Sequence, residues 1–193
     1  MAKLKLVILG STRGTNMQAI IDAISSKEID ASIDAVISNR KSAYMLERAE
    51  NYNIPNKFIS AKGLDREEYD KTLVDEVQKY NPDLILLIGF MRILSPVFIN
   101  SFKNKVLNIH PSLLPKHAGL MDIDVHQSVI NAGDNISGCT IHQVTEEVDA
   151  GDTILQFKCD VSENETAESL KIKVQDLESK AWVEVIKNWK KIV

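Results

Sequence analysis

The chain has 193 residues, 44% of them hydrophobic, which is enough to fill one sizeable core. With 23 Lys and Arg against 27 Asp and Glu, the formal net charge is −4. A surface for nucleic-acid backbones needs a basic excess, so no nucleic-acid partner is expected.

The opening stretch "MAKLKLVILGSTRG" carries an apolar run from Leu4 to Leu9, interrupted by Lys5. That run is too short for a signal peptide or a membrane span. A soluble, cytoplasmic protein without a membrane partner is expected. Four runs rich in Val, Ile and Leu, at 4–9, 33–38, 83–89 and 105–109, read as strands buried on both faces. Helical patterns alternate with them. The one at 15–26 opens with a capping-type Thr15 or Asn16 and aligns Met17, Ile20, Ile21 and Ile24 on one stripe. Others lie at 43–52 and 66–80, the last ended by Asn81-Pro82. This alternation predicts an α/β fold, a doubly wound, mostly parallel sheet with right-handed crossovers. After Gly119 the rhythm changes. Residues 139–161 read as two antiparallel strands around the turn "VDAGD", and a long amphipathic helix closes the chain at about 166–191. No repeat or linker interrupts the chain, so a single domain over 1–193 is expected. Cys139 and Cys159 fall in expected strands with no CxxC pairing and read as small buried thiols.

Three stretches carry candidate chemistry. "GSTRGTN" leads from the first strand into a helix, where glycines and free N–H groups suit a phosphate. It matches neither GxGxxG nor GxxxxGK[ST], and an ordinary βα turn fits it equally well. In "NIHPSLLP", Asn108 and His110 lie two apart on a strand and share a face at its carboxyl end, where doubly wound folds bind ligands. In "EEVDAGD", Asp149 suits a hairpin turn, or alternatively a carboxylate partner for a histidine. "GFMRILSP" follows the third strand. Phe90 and Met91 there suit a core, while Arg92 is an anion-binding candidate. The four histidines, 110, 117, 126 and 142, form no HExxH and meet no cysteine cluster, and no GxSxG elbow exists. No metal is expected.

Taken together, "VILGSTRGTNMQAI", "VISNRKSAY", "LIGFMRILSP", "LNIHPSLLP", "HQVTEEVDAGDTILQ" and "KVQDLES" resemble the folate-dependent glycinamide ribonucleotide formyltransferases of purine synthesis. The resemblance covers nearly the whole chain. It implies a Rossmann-like formyltransferase fold and a formyl group carried from 10-formyltetrahydrofolate, as cosubstrate, to the amine of phosphoribosylglycinamide. It places a catalytic trio on Asn108, His110 and Asp149, and a substrate-phosphate loop on Gly14, Thr15 and Asn16. Glu178 and Met91 would border the ribose and amine. Arg66, Arg92, Ile93, Leu94, Val144 and Val148 would meet the folate. A monomer or homodimer acting on small molecules follows. Arg13 stands where the family usually has a small or uncharged residue, and the segment from Gly119 to His126 is about two residues longer than in many members. The rival readings are a formyltetrahydrofolate deformylase, a methionyl-tRNA formyltransferase and a non-catalytic nucleotide-binding module. A deformylase would use the same trio on water. Methionyl-tRNA formyltransferases add a basic C-terminal domain, and none is expected for this acidic chain.

Overall fold

The computed structural model describes the backbone of residues 3–192 and the side chains of residues 3–189. Met1, Ala2 and Val193, within the expected 1–193 domain, lie outside the described residues. The elements run β1 (Leu4–Gly10), α1 (Thr15–Ser25), β2 (Ala31–Ser38), α2 (Tyr44–Asn51), β3 (Asn56–Phe58), α3 (Arg66–Gln78), β4 (Leu84–Leu87), α4 (Pro96–Ser101), β5 (Val106–His110), α5 (Ile123–Asn131), β6 (Ile136–Gln143), β7 (Thr153–Asp160) and α6 (Ala167–Ile192). They form two compact units, Met1–Asn108 and Ile109–Val193.

In the first unit the strands lie in the order β3-β2-β1-β4-β5. Every pairing among them is parallel. The apolar runs explain this: Leu6, Val7, Ile8 and Leu9 are fully buried, as strands covered on both faces must be. The register aligns the carboxyl ends, with Gly10 opposite Ser38, Leu9 opposite Leu87, and Leu87 opposite Asn108. Helix α1 buries Met17, Ile20, Ile21 and Ala23. Its N-cap is Gly14 with φ 69°, and no side chain caps it, so neither Thr15 nor Asn16 plays the expected capping part. A left-handed glycine starts the helix by backbone geometry instead. Helix α3 does have a capping box. The Asp65 carboxylate accepts from Glu68 N–H at 2.8 Å, and the Glu68 carboxylate accepts from Asp65 N–H at 3.1 Å. β4 stops at Leu87, short of the expected 89, because Gly89 turns the chain at φ 59°. Edge strand β3 and helix α4 are elements the apolar pattern does not announce. All three residues of β3 are exposed, and α4 has only 6 residues.

The strand order of the second unit is β5-β6-β7. β6 and β7 are antiparallel, pairing Ile136 with Asp160, Cys139 with Phe157, and Ile141 with Leu155. β6 therefore begins at Ile136, before the expected start at 139. At Gly138 a Cβ would sit 1.9 Å from the Phe157 carbonyl oxygen, so only glycine lets the strands approach there. α6 packs against α5, β6 and β7. It buries Leu170, Val174, Ala181, Trp182 and Val185, the amphipathic helix expected at this end of the chain. Cys139 is fully buried, and burial pushes its thiol up to about 12. Cys159 is half-buried and free. The Leu114–Pro115 peptide bond is cis. A parallel doubly wound sheet, an antiparallel extension and a long terminal helix are the architecture the sequence predicts.

Candidate active site

In the first unit, Ser11 gathers the turns that follow β1, β2 and β4. Its hydroxyl donates to Asn39 Oδ1 at 2.6 Å and accepts from Met91 N–H at 2.9 Å. Its own N–H donates to the Gly89 carbonyl at 3.0 Å. Three loops at the carboxyl edge of the sheet are thus tied to one buried hydroxyl, the edge where this fold class binds ligands. Gly14, Thr15 and Asn16 open α1 here. A Cβ on Gly14 would lie 2.8 Å from Met45 Cβ, at a φ that disfavours any L side chain. Gly14→Ala is therefore expected to destabilise the protein by about 1–2 kcal/mol, read as a lower midpoint in denaturant unfolding with unchanged slope. Arg13 is exposed, with its guanidinium 5.8 Å from the Tyr44 ring centroid.

The segment after β4 is partly exposed and partly anchored. Met91 is 41% and Ile93 56% exposed, whereas Leu94 is buried in the core. The Arg92 guanidinium stacks on the Tyr69 ring, 4.5 Å from its centroid. The neighbouring Asp70 is buried and accepts from Ser95 N–H at 2.5 Å. Burial pushes the Asp70 carboxyl up, opposed by its Ser95 hydrogen bonds and by the charges of Arg92 and Arg66. Arg66 itself is exposed at the start of α3.

β5 carries Asn108, partly exposed, and His110, 4% exposed. The β6–β7 turn supplies Asp149, which adopts φ 57°. Gly151 closes that turn: a Cβ there would sit 1.8 Å from the Gln143 carbonyl oxygen. Asp149 Oδ2 lies 3.2 Å from His110 Nδ1 and accepts from Gly119 N–H at 2.9 Å. Asp149 Oδ1 lies 3.6 Å from His142 Nε2, while His142 Nδ1 donates to the Gln143 carbonyl at 2.9 Å. On its far side the His110 ring donates through Nε2 to the His117 carbonyl at 3.0 Å. Burial pushes the His110 imidazole below its usual pKa, while the Asp149 carboxylate and the His117 carbonyl pull upward. His142 is lowered by burial in the same way. A histidine held low by burial yet faced by a carboxylate takes up a proton when negative charge develops nearby and releases it readily, which suits general acid catalysis.

The other site candidates of this unit spread along it. Val144 is half-buried, Val148 is 50% exposed, and Glu178 is half-buried on α6, its charge felt by Cys139. The sequence reading gave no role to His142, His117 or Gly119. His142 had a signal, lying seven residues before Asp149 on the strand that feeds its turn. His117 and Gly119 act through backbone groups that side-chain identity does not announce. Among the described residues, no group of three or more His, Cys, Asp and Glu side chains could hold a metal ion. No helix among them is long and apolar enough to cross a membrane.

A buried histidine–carboxylate pair at the carboxyl end of a strand is suited to moving protons during group transfer. The chain belongs to the formyl transferase family, whose pattern matches residues 4–186. It is similar to the phosphoribosylglycinamide formyltransferase of Escherichia coli (strain K12), 42% identical over 176 residues, covering 91% of this chain and 82% of that protein. It is also similar to the trifunctional purine biosynthetic protein adenosine-3 of Chironomus tentans, 46% identical over 171 residues, 87% of this chain and 12% of that one. Among solved structures, glycinamide ribonucleotide transformylase 1 from Symbiobacterium toebii superposes with a TM-score of 0.92 at 34% identity, covering 98% of this chain and 89% of that one.

Proposed function

We propose that the protein transfers the formyl group of 10-formyltetrahydrofolate to the glycinamide amine of phosphoribosylglycinamide, a step of purine synthesis. The observation that carries this reading is the buried His110–Asp149 pair, 3.2 Å apart, in a chain of the formyl transferase family. Formyl-folate is a substrate here, consumed in each turnover. Met91, Ile93, Leu94, Val144 and Val148 meet its ring system in this reading: Met91, Ile93 and Val148 are exposed apolar side chains, Val144 is half-buried, and Leu94 is buried. Arg66 and Arg92 supply positive charge for its carboxylates. Gly14, Thr15 and Asn16, at the uncapped start of α1, receive the nucleotide phosphate. Glu178 accepts from the ribose hydroxyls, and Met91 borders the amine.

The amine attacks the formyl carbon, and the carbonyl electrons move onto oxygen. Asn108 and His110 each donate a hydrogen to that oxyanion, and donors of this kind are worth roughly 3–4 kcal/mol each to a transition state. As the old C–N bond breaks, His110 gives its proton to the leaving folate nitrogen. The attacking amine gives up a proton to Asp149, directly or through water, and Asp149 returns it to His110. No metal enters these steps. The two units act as one formyltransferase domain over 1–193, a reading supported by the unbroken family match from 4 to 186. The enzyme works as a monomer or homodimer on small molecules in the cytoplasm, without nucleic-acid or membrane partners.

The test is to supply 10-formyltetrahydrofolate and follow tetrahydrofolate, with and without phosphoribosylglycinamide. Tetrahydrofolate formed only when the amine is present is the expected result. Equal release without it, with formate produced, identifies a deformylase and overturns the proposal.

A further inference from the structure

Two residues, His117 and Gly119, hold both members of the His110–Asp149 pair through their backbone. The His117 carbonyl accepts from His110 Nε2 at 3.0 Å, and Gly119 N–H donates to Asp149 Oδ2 at 2.9 Å. A carbonyl has no hydrogen to give. While that contact lasts, Nε2 must carry the hydrogen in the neutral and the charged ring alike. Asp149 alone would do the opposite, since a carboxylate 3.2 Å from Nδ1 draws the single hydrogen of a neutral ring onto Nδ1. The position of one carbonyl therefore decides which nitrogen is open.

That carbonyl is held by its own side chain. His117 adopts φ 58°, which non-glycine residues enter reluctantly. Its ring is pinned at both nitrogens: Nδ1 lies 2.8 Å from the Ser128 hydroxyl on α5, and Nε2 lies 3.0 Å from Asp134 Oδ2. Asp134 also pairs with Lys116 at 2.6 Å, whose carbonyl accepts from the Ser112 hydroxyl at 2.6 Å. The ring thus fastens the loop to α5 and the turn behind it.

We infer that His117 is a positioning residue for formyl transfer: its anchored carbonyl fixes His110 as the Nε2–H tautomer, so that every proton His110 gains or gives up passes through Nδ1, the nitrogen facing Asp149. The inference rests on the formyl-transfer reading and sharpens it. Nδ1–H is then the donor to the oxyanion and to the leaving nitrogen, and Asp149 stands beside the atom it must recharge.

Nitrogen-15 NMR of histidine-labelled, ligand-free protein reads the tautomer directly across a pH titration. The groups acting on His110 are Asp149, the His117 ring and carbonyl, and, by mutual charge, His142 and His126. In the unaltered protein Nε2 is expected to stay protonated throughout while Nδ1 alone titrates. His117→Gly deletes the ring and tolerates the positive φ. It is expected to give mixed His110 tautomers and to lower kcat about 10- to 100-fold, with both KM values changed little. His117→Gln, whose amide can reach one anchor, should recover part of that loss. If His117→Gly fails to fold, Ser128→Ala removes one anchor and gives the same two readouts on an intact backbone. A neutral His110 carrying its hydrogen on Nδ1 overturns the inference, as does a variant that keeps both the wild-type tautomer and the wild-type kcat. The spectra need no substrate, so the tautomer is decided even if the formyl-transfer assay fails.

Discussion

His110→Ala is expected to lower turnover by roughly 10³-fold or more, the loss of one oxyanion donor together with the general acid. Binding of phosphoribosylglycinamide should change little, because the phosphate and ribose contacts proposed for it lie on other residues. The side chain is 4% exposed, so its removal leaves a small cavity beside Asp149. A parallel measurement of thermal stability separates that packing loss from the chemical one. Pre-steady-state formyl transfer and equilibrium titration with phosphoribosylglycinamide are the decisive pair. If binding weakens as much as turnover falls, His110 holds substrate and does not move a proton.

Asp149→Asn carries the second large effect, a drop of about 10²–10⁴-fold in kcat. Asparagine tolerates the positive φ of this position nearly as well as aspartate does, and its oxygen can still accept from Gly119 N–H. The substitution therefore removes charge more than shape. Its sign on the pH profile follows from the balance at His110, where burial lowers the imidazole and Asp149 raises it. Without the carboxylate nothing of that strength opposes burial, and the His110 pKa falls further. A reaction that needs protonated His110 then loses its active form at lower pH, so the limb assigned to His110 moves acidward. His142 faces the same carboxylate and moves in the same direction. A pH profile that merely scales down, with its limb unmoved, removes Asp149 from the proton path.

The parallel part of the fold was legible because strands buried on both faces are mostly apolar along their length, as β1, β2, β4 and β5 are. β3 was not, since Asn56, Lys57 and Phe58 are all exposed and carry no pattern. α5 hid for another reason: it begins after Asp122 at φ 54° with no side-chain cap, so the usual start signal is missing. Within the candidate site, period-two alternation alone put Asn108 beside His110. Nothing local distinguished Asp149 from an ordinary turn aspartate, and only the resemblance paired it with His110. The part played by His117 could not be read at all, because it runs through a carbonyl oxygen that every residue has.

The burial of Cys139 has a practical bearing on how the fold can be watched. Thiol reagents attack the thiolate, and a thiol pushed to about 12 inside a β-strand offers almost none. Alkylation of Cys139 must wait for β6 to leave its neighbours. Cys159, half-buried on β7, is the more accessible of the two sulfurs and gives an internal reference. The ratio of their labelling rates then measures how often this sheet opens under native conditions, with no added probe and no residue proposed for the chemistry disturbed.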